Sequence, residues 1–404
     1  MRVLVGAFGD PGHAFPAIAL AVALRERGHD VCLQTWERWR ADVEAEGLEF
    51  ARAPEYHVFP TLGRSLTPYE AVVEATRDTR PLVRDFRPDV VVADILTLAP
   101  ALAAELEGVR SATLIPHVDP RPSPGFAPYS IGARLPRTAL GRAAWAGLRP
   151  VVRKGEELGR AELNDARAQL GLPPLSRTHG GISEGLVLVG TFPQLEYPRP
   201  GGPPPGTHAV GPLQWEPPTA PAALPPGDAP LVLVAPSTSQ DPTHRLLRAA
   251  LSGLADAPVR VLATWNRRRL IPAAAVPANT RLVEWVSYAQ AMPACDVVVC
   301  HAGHGTVLRA LTSATVVVAA PAAGDMNENA ARVDWAGVGV RLPRRLVGPR
   351  AVRLAVDRAL AEPRLAANAR ELAAWASANP AGARAAQLLE AYVASSAAPV
   401  AATR

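Results

Sequence analysis

Short apolar runs alternate with longer amphipathic stretches from the first residues of the chain onward. Residues 3–5 predict a short strand, the glycine-rich turn 6–12 follows, and a helix is predicted from about residue 15 to 27. Residues 31–34 predict the next strand. A strand, a helix and a second strand in this order indicate a βαβ unit, whose two strands lie parallel in one sheet.

The same alternation continues and starts a second time after a break. Residues 198–205 and 216–230 are rich in Pro, Gly and Ala, and the second stretch is the better linker candidate. The strands predicted before the break are 88–94 and 112–116, and those after it are 230–236, 259–264, 296–300 and 316–321. The later helices are predicted at 243–254, 327–337 and from 349 to about 393.

We therefore expect an α/β fold made of two doubly wound Rossmann-like domains that face each other across a cleft. The expected divisions are an N-terminal domain at 1–213, a linker at 214–229, a C-terminal domain at 230–375, a helix at 376–393 and a disordered tail at 394–404. The return of the helix to the N-terminal domain is left open as one option. Ligands of such sheets bind at the carboxyl ends of the strands, where the unusual residues of both halves lie.

Composition narrows the class of protein and its compartment. The chain has 404 residues, too many for one ordinary core, and 48% of them are hydrophobic. A net charge of +5, with Arg scattered among Asp and Glu, disfavours a nucleic-acid surface. Cys32, Cys295 and Cys300 lie in or beside apolar runs, which predicts buried free thiols and a reducing compartment. We expect a cytoplasmic protein, because neither a secretory leader nor an apolar segment of membrane-spanning length is evident.

A compact loop at residues 301–306, with the sequence His-Ala-Gly-His-Gly-Thr, joins a predicted strand directly to a predicted helix. Its two glycines allow close backbone approach, and free N–H groups together with the helix dipole favour a phosphate here. Thr306 is expected to add a hydroxyl at the helix N-cap, and His301 an imidazole donor. A tight structural turn is the alternative, and a lone Gly-x-Gly would not exclude it.

Further motifs accompany this loop along the chain: Trp285-Val286, the turn 293–296, Pro321, Gly324-Asp325 and Asn329-Ala330. Together with the loop they resemble the donor-binding signature of the family 1 glycosyltransferases. This group with the GT-B fold includes bacterial natural-product and UDP-glycosyltransferases, and the resemblance extends over nearly the whole chain. It implies an N-terminal domain that binds the acceptor and a C-terminal domain that binds a nucleotide-diphosphate sugar.

The resemblance assigns donor contacts to individual positions. The backbone near Trp285 and Val286 should hold the base, and Asp325 should accept hydrogen bonds from sugar hydroxyls, for which a carboxylate offers several lone pairs. Ser237 and Thr238 match a loop that touches phosphate, although a simple turn explains them nearly as well. The diphosphate is assigned to His301, Gly303, Gly305 and Thr306, and the donor-binding set further includes His304, Met326 and Asn329.

Two positions depart from the family pattern. Met326 stands where many members have a Gln after the sugar-binding Asp, which points to a donor with fewer hydroxyls, such as a deoxysugar, or to a backbone substitute. Arg309 stands where many UDP-dependent members have a Glu that holds the ribose hydroxyls. Arg cannot accept hydrogen bonds, so this favours a thymidine diphosphate donor, whose sugar lacks the 2′-hydroxyl. The alternative is that Arg309 lies outside the pocket.

His13 lies within Gly-His-Ala-Phe-Pro at residues 12–16, where the first strand gives way to the first helix. The glycines of this turn lack the spacing of a dinucleotide fingerprint, which disfavours an oxidoreductase. The resemblance makes His13 the general base that removes the acceptor's proton, a task that suits a neutral imidazole. Asp94 ends a strand at the same edge of the sheet and should orient the ring. A helix-terminal histidine without such a role is the alternative.

The acceptor is expected against the N-terminal loops at 56–69 and 118–145. These loops carry aromatic side chains and few charges, which suits an apolar or aromatic natural product. Closure of the domain core is the better explanation for each aromatic residue taken singly, and an ordinary loop histidine explains His117 equally well. The residues expected to contact the acceptor are Phe59, His117, Phe126, Tyr129 and Trp145.

The sequence thus predicts a glycosyltransferase of natural-product or antibiotic biosynthesis that inverts the anomeric centre in one step. It would use a UDP or TDP sugar as co-substrate, with no metal or other cofactor, as a monomer or homodimer. A sugar-nucleotide epimerase or hydrolase on the same fold stays open, although it would need more acidic residues than Asp325 and Glu328 near the donor loop. A non-catalytic protein that binds a nucleotide sugar also stays open, although His13 and Asp94 argue against it.

Overall fold

A computed structural model describes residues 1–55, 68–237, 241, 243–266 and 275–397. Within these residues the chain forms two parallel sheets with helices packed against them, as the sequence predicts for two doubly wound α/β domains. Phe59 and Thr238, which were expected to contact acceptor and donor, lie outside the described residues, as do residues 398–404.

The inner strands of the N-terminal sheet are short, mainly apolar runs that are largely buried, as parallel strands covered on both faces require. Its described strands, β1 to β7, are Arg2–Gly6, Asp30–Thr35, Glu49–Arg52, Val90–Asp94, Arg110–Ile115, Val187–Val189 and Thr207–Ala209. They lie in the order β3-β2-β1-β4-β5-β6-β7. The accompanying helices, α1 to α6, are Pro11–Glu26, Arg40–Ala45, Pro68–Phe86, Ala99–Leu106, Ala139–Ala146 and Arg149–Gln169.

The C-terminal sheet repeats this architecture in the order β10-β9-β8-β11-β12-β13. Its described strands, β8 to β13, are Leu231–Ala235, Arg260–Thr264, Thr280–Val283, Val297–Cys300, Val316–Ala319 and Gly339–Arg341. The helices that follow in the described chain, α7 to α13, are Arg245–Leu254, Tyr288–Ala291, His304–Thr312, Met326–Trp335, Pro349–Ala361, Pro363–Ala378 and Ala381–Ala397. None of the described helices combines the length and the apolar character that crossing a bilayer requires.

Each sheet reverses its strand order at one point, between β1 and β4 in the first sheet and between β8 and β11 in the second. Connections that leave such a point run in opposite directions and open a crevice in which ligands bind. In the N-terminal sheet β1 leads to His13 and β4 ends at Asp94. In the C-terminal sheet β8 leads to Ser237 and β11 leads to the loop 301–306. The expected site residues therefore gather at both switch points.

The last helix, α13, packs on the N-terminal domain. Ala385 and Leu389 are fully buried in the same core as the apolar face of α1. Glu390 accepts two hydrogen bonds from the guanidinium of Arg27, each 2.7 Å long. The helix also includes residues 394–397, for which a disordered tail was predicted. That prediction is wrong for these four residues, because Ala and Ser continue a helix that is already held in place by packing.

The linker is attached to the C-terminal domain over much of its length. Glu216 accepts hydrogen bonds from the hydroxyl of Ser287 and from the backbone N–H of Ala289, the latter at 3.2 Å. Thr312, at the end of α9, donates to the side-chain oxygen of Gln214 at 3.0 Å. The linker therefore lies along α8 and α9, next to the predicted base and diphosphate sites.

Candidate active site

His13 lies in the first turn of α1, which Pro11 begins directly after the N-cap residue Asp10. Its Nδ1 atom is 2.8 Å from Oδ2 of Asp94, whose side chain is fully buried. The other carboxylate oxygen, Oδ1, accepts the backbone N–H of Leu96 at 2.8 Å. An ionised carboxylate can only accept hydrogen bonds, so Nδ1 carries the proton and Nε2 is left as the basic atom of the ring.

Neighbouring charges raise the proton affinity of His13. Burial lowers the pKa of His13, but the charge and hydrogen bond of Asp94, together with the charges of Asp10 and Asp325, raise it overall above its ordinary value of 6.5. The side chain of His13 is still 15% exposed. The ring is therefore a stronger base than a free imidazole and remains within reach of a bound molecule.

Asp325 connects the two halves of the site electrostatically. It is the N-cap residue of α10 in the C-terminal domain. Its negative charge acts on the rings of His13, His117 and Tyr129 in the N-terminal domain and on His301 in the donor loop. Asp325 therefore lies close enough to both halves of the site for its charge to favour protonation of His13.

The loop 301–306 turns sharply between β11 and α9. Ala302 is fully buried with a φ of 61°, in the left-handed region that residues with a Cβ seldom adopt. Gly303 is the N-cap residue of α9, so the expectation that Thr306 occupies that position is wrong: the helix begins one turn earlier. Val307 donates the first intrahelical bond, to Gly303 at 3.0 Å. The N–H groups between them have no intrahelical partner and form an anion-binding end.

The imidazole of His301 covers one side of this loop. Its Nδ1 is 3.2 Å from the carbonyl oxygen of Ala235 at the end of β8, to which it can only donate. Burial lowers the pKa of His301, so the ring is neutral and has one N–H. That N–H is engaged by Ala235, and a contact of His301 with phosphate stays a prediction. The remaining donors toward a diphosphate are the backbone N–H groups and the hydroxyl of Thr306.

Two of the residues expected to bind the donor, Asn329 and His304, form hydrogen bonds that hold the loop 301–306 in place. The side-chain amide of Asn329 donates to the carbonyl of Ala302 at 3.0 Å, and its oxygen is 3.2 Å from Nδ1 of His304. Asn329 is buried, and burial lowers the pKa of His304 to about 3, which keeps that ring neutral. These contacts hold the loop in shape, and a direct contact of either residue with the donor stays a prediction.

The other donor residues lie close to the C-terminal core. Val286 is buried in that core, and Met326 packs against it with its side chain partly exposed. Trp285 follows β10 and is half-buried, and Ser237 is buried directly after β8. The structure therefore brings these four residues to the carboxyl edge of the C-terminal sheet, while their contacts with a nucleotide sugar stay predictions.

Arg309 lies on α9 beside the linker. Burial lowers the pKa of its guanidinium, and the charge of Glu216 acts in the opposite direction. Glu216 also accepts the hydroxyl of Ser287 next to the predicted base site. The guanidinium of Arg309 is therefore close to a linker carboxylate, at the side of the domain where the nucleoside is expected.

Two expected acceptor residues form a group with the base. The ring of His117, which follows β5, lies 6.0 Å from His13 and stacks on Tyr129 with centroids 5.8 Å apart. Tyr129 and Phe126 line a shallow hollow that is open to solvent. Trp145 does not join them, because it lies on α5, a surface helix with no buried residue.

The hollow also carries charges that the sequence did not indicate. Arg121 forms a bidentate ion pair with Asp119, with a shortest contact of 2.7 Å. Arg332 of α10 forms an ion pair with Glu328 at 2.9 Å. Its guanidinium also lies 3.5 Å from the ring centroid of Tyr197, and this contact joins the two domains. The spacing of four residues between Glu328 and Arg332 on a predicted helix could have suggested their pair. The other charges stand singly in proline-rich segments and give no such signal.

Two family models match separate parts of the chain. Residues 3–111 match the Glycosyltransferase family 28 N-terminal domain, and residues 248–392 match the Erythromycin biosynthesis protein CIII-like, C-terminal domain. A 4'-demethylrebeccamycin synthase of Lentzea aerocolonigenes is 30% identical over 413 residues, which cover 92% of this chain and 94% of that protein. The chain belongs to the natural-product glycosyltransferases.

Another relative and two solved structures extend this comparison of the glycosyltransferase. The O-mycaminosyltylonolide 6-deoxyallosyltransferase of Streptomyces fradiae is 26% identical over 411 residues, covering 92% of this chain and 93% of that protein. The kitacinnamycin glycotransferase has a TM-score of 0.76 at 20% identity, covering 97% of this chain and 98% of that chain. The glycosyltransferase VinC, solved in complex with DTDP, has a TM-score of 0.72 at 20% identity, covering 97% of this chain and 99% of that chain. These likenesses show the GT-B fold.

Proposed function

We propose that this glycosyltransferase moves a sugar from a TDP or UDP donor to a small apolar or aromatic acceptor, with inversion at the anomeric carbon. His13 acts as the general base and Asp94 orients it. The observation that carries the proposal is the 2.8 Å bond between Nδ1 of His13 and Oδ2 of Asp94 at the N-terminal switch point. Asp325 and the anion-binding end of α9 supply the opposite wall.

The proposed reaction is a single displacement. The acceptor hydroxyl gives its proton to Nε2 of His13 while its oxygen forms a bond to the anomeric carbon. The bond from that carbon to the diphosphate oxygen breaks on the opposite face, and the diphosphate leaves with the electron pair. Buried Asp94 stabilises the imidazolium, and the N-terminus of α9 stabilises the charge that develops on the diphosphate.

Several observations favour a TDP-deoxysugar within this donor class. Arg309 cannot accept a hydrogen bond from a ribose 2′-hydroxyl, and the thioether of Met326 is at most a weak acceptor for a sugar hydroxyl. The similarly folded VinC was solved with DTDP, and one relative is named as a 6-deoxyallosyltransferase. We therefore propose thymidine diphosphate as the carrier and a sugar with fewer hydroxyls than glucose.

The test of the proposed function is incubation with UDP-glucose and TDP-glucose, with and without a panel of phenolic acceptors, followed by mass spectrometry. We expect acceptor-dependent transfer, with kcat/KM about tenfold higher for the TDP donor, because the ribose 2′-hydroxyl of a UDP donor would lose its hydrogen bonds to water and find no acceptor in the site. Donor conversion without an acceptor would instead indicate an epimerase or hydrolase. Nucleotide-sugar binding without turnover would indicate a non-catalytic protein.

Replacing Gly303 by Ala is expected to weaken TDP binding by about tenfold or more. The added Cβ would lie 2.4 Å from Nε2 of His301, so the ring or the loop must move and displace the N–H groups that face the diphosphate. Titration calorimetry with TDP measures the effect. Gly155→Ala on α6 is the matched control, since its Cβ meets nothing within 4 Å. Wild-type affinity in a folded Gly303→Ala protein would contradict the assignment of the loop.

A further inference from the structure

A second imidazole lies next to the base, and the proposed reaction does not use it. His117 follows β5, and its ring stands nearly perpendicular to that of His13, at 80° with centroids 6.0 Å apart. On its other side His117 stacks on Tyr129 at 5.8 Å and 26°. The two histidines are therefore close neighbours at the carboxyl edge of the N-terminal sheet, with the edge of one ring toward the face of the other.

The hydrogen bond of His117 fixes which of its nitrogens carries the proton. Nδ1 is 2.8 Å from the carbonyl oxygen of Val118, which can only accept, so Nδ1 is the protonated nitrogen. Burial lowers the pKa of His117, and the nearby charge of His13 lowers it further, so the ring is neutral near pH 7. Nε2 then carries a lone pair, and it has no hydrogen-bond partner within the part of the chain that the structure describes.

Tyr129 supplies the complementary group. Its hydroxyl oxygen is 3.3 Å from Nδ1 of His117, whose single N–H is directed to Val118 at 2.8 Å, so the phenol accepts only a shared, weaker bond there and cannot donate to that nitrogen. Burial raises the pKa of Tyr129, so the phenol keeps its own proton. That proton is directed away from His117, on a residue that lines the hollow. The stacked pair thus offers a bound molecule one lone pair and one O–H.

We propose that Nε2 of His117 determines acceptor specificity by receiving a hydrogen bond from a second O–H or N–H of the acceptor, next to the hydroxyl that His13 deprotonates. This inference rests on the proposed function and narrows its acceptor class to aromatic or polycyclic molecules with two neighbouring hydrogen-bond donors. An acceptor that lacks the second donor would leave the lone pair of His117 buried and without a hydrogen bond. The site should therefore favour acceptors with two donors strongly over acceptors with one.

The first test needs no turnover. Protein with ¹⁵N-labelled histidine is examined by NMR at pH 7, and His117→Asn identifies the ring signals of His117. We expect a neutral ring with the proton on Nδ1 and an unprotonated Nε2. An imidazolium, or a ring protonated on Nε2, would overturn the inference whether or not the protein transfers sugars.

The second test compares two acceptors with TDP-glucose as donor: 1,3-dihydroxynaphthalene and 1-naphthol. The wild-type protein should prefer the diol by about tenfold or more in kcat/KM, and His117→Phe should bring the ratio near one. His117→Asn, which keeps an acceptor oxygen, should restore part of the preference. His208→Phe on the exposed strand β7 is the control and should keep the wild-type ratio.

The outcomes separate the two proposals. Transfer to both naphthols with equal efficiency, or a preference that His117→Phe leaves intact, defeats the role of His117 while the glycosyltransferase reaction stands. Transfer to neither naphthol, together with no transfer to the wider phenol panel, counts against the proposed function. In that case an imidazolium or an Nε2-protonated ring of His117 in the NMR measurement still overturns the inference.

Discussion

The His13→Ala protein is expected to transfer sugar about 100 to 10,000 times more slowly than the wild type while binding TDP with unchanged affinity. The substitution removes the atom that receives the acceptor's proton and leaves the C-terminal loop 301–306 untouched. A loss in kcat without a loss in donor binding is the result expected for a group that acts on the acceptor. Single-turnover kinetics with a TDP sugar and a phenol, together with calorimetry with TDP, measure the two quantities.

The matched control for His13 is another histidine that contacts a carboxylate. His29 follows the C-terminal end of α1, whereas His13 lies in its first turn. The Nε2 atom of His29 is 2.8 Å from a carboxylate oxygen of Glu390 in α13. His29→Ala should therefore keep wild-type transfer. Wild-type turnover of His13→Ala on an O-acceptor would contradict the assignment of the base. Equal losses in both variants would indicate that the N-terminal domain, and not the reaction step, had been damaged.

The central strands of both sheets could be predicted because each is an unbroken apolar run. β4, β11 and β12 each begin with three consecutive valines, which suits strands covered on both faces. β6, β7 and β13 have three residues each, too few to establish a period, and the hydrophobic pattern did not predict them. These short strands exist because neighbouring strands offer hydrogen bonds, a property that a local pattern does not contain.

The sequence could predict those site residues that directly follow or end a strand. His13 and Asp94 each follow or end an apolar run, which places them at one edge of a parallel sheet. Only the strand order shows that β1 and β4 are neighbours, and this order brings the two side chains to 2.8 Å. The stacking of His117 on Tyr129 and the ion pairs of Arg332 depend on the paths of irregular segments, which no periodic pattern encodes.

Replacing Asp94 by Asn is expected to lower kcat by about 100-fold or more, although the side chain keeps its size. Both carboxylate oxygens accept N–H groups, one from Nδ1 of His13 and one from the backbone of Leu96, at 2.8 Å each. Asn has a single acceptor oxygen and one NH₂. If the oxygen of Asn keeps the hydrogen bond from the backbone of Leu96, its NH₂ group faces Nδ1 of His13. Nδ1 must then accept, so the ring proton moves to Nε2, the atom that has to be unprotonated to act as the base.

The pH profile of the Asp94→Asn protein separates this mechanism from general damage. In the wild type, the pKa of His13 lies above 6.5, and the neutral ring is the active form, so kcat/KM should fall as the pH drops through that raised pKa. Without the charge of Asp94, burial dominates and lowers the pKa of His13. The fall of kcat/KM on the acidic side should then move to lower pH, and the maximum value of kcat/KM at higher pH should decrease.

The matched control for Asp94 is Asp10→Asn. Asp10 also raises the pKa of His13, but by its charge alone and from an exposed position at the N-cap of α1. Its loss should shift the acidic limb slightly in the same direction and change the plateau by less than about threefold, because the ring proton stays on Nδ1. A wild-type plateau with an unmoved limb in Asp94→Asn would show that the carboxylate does not orient the base.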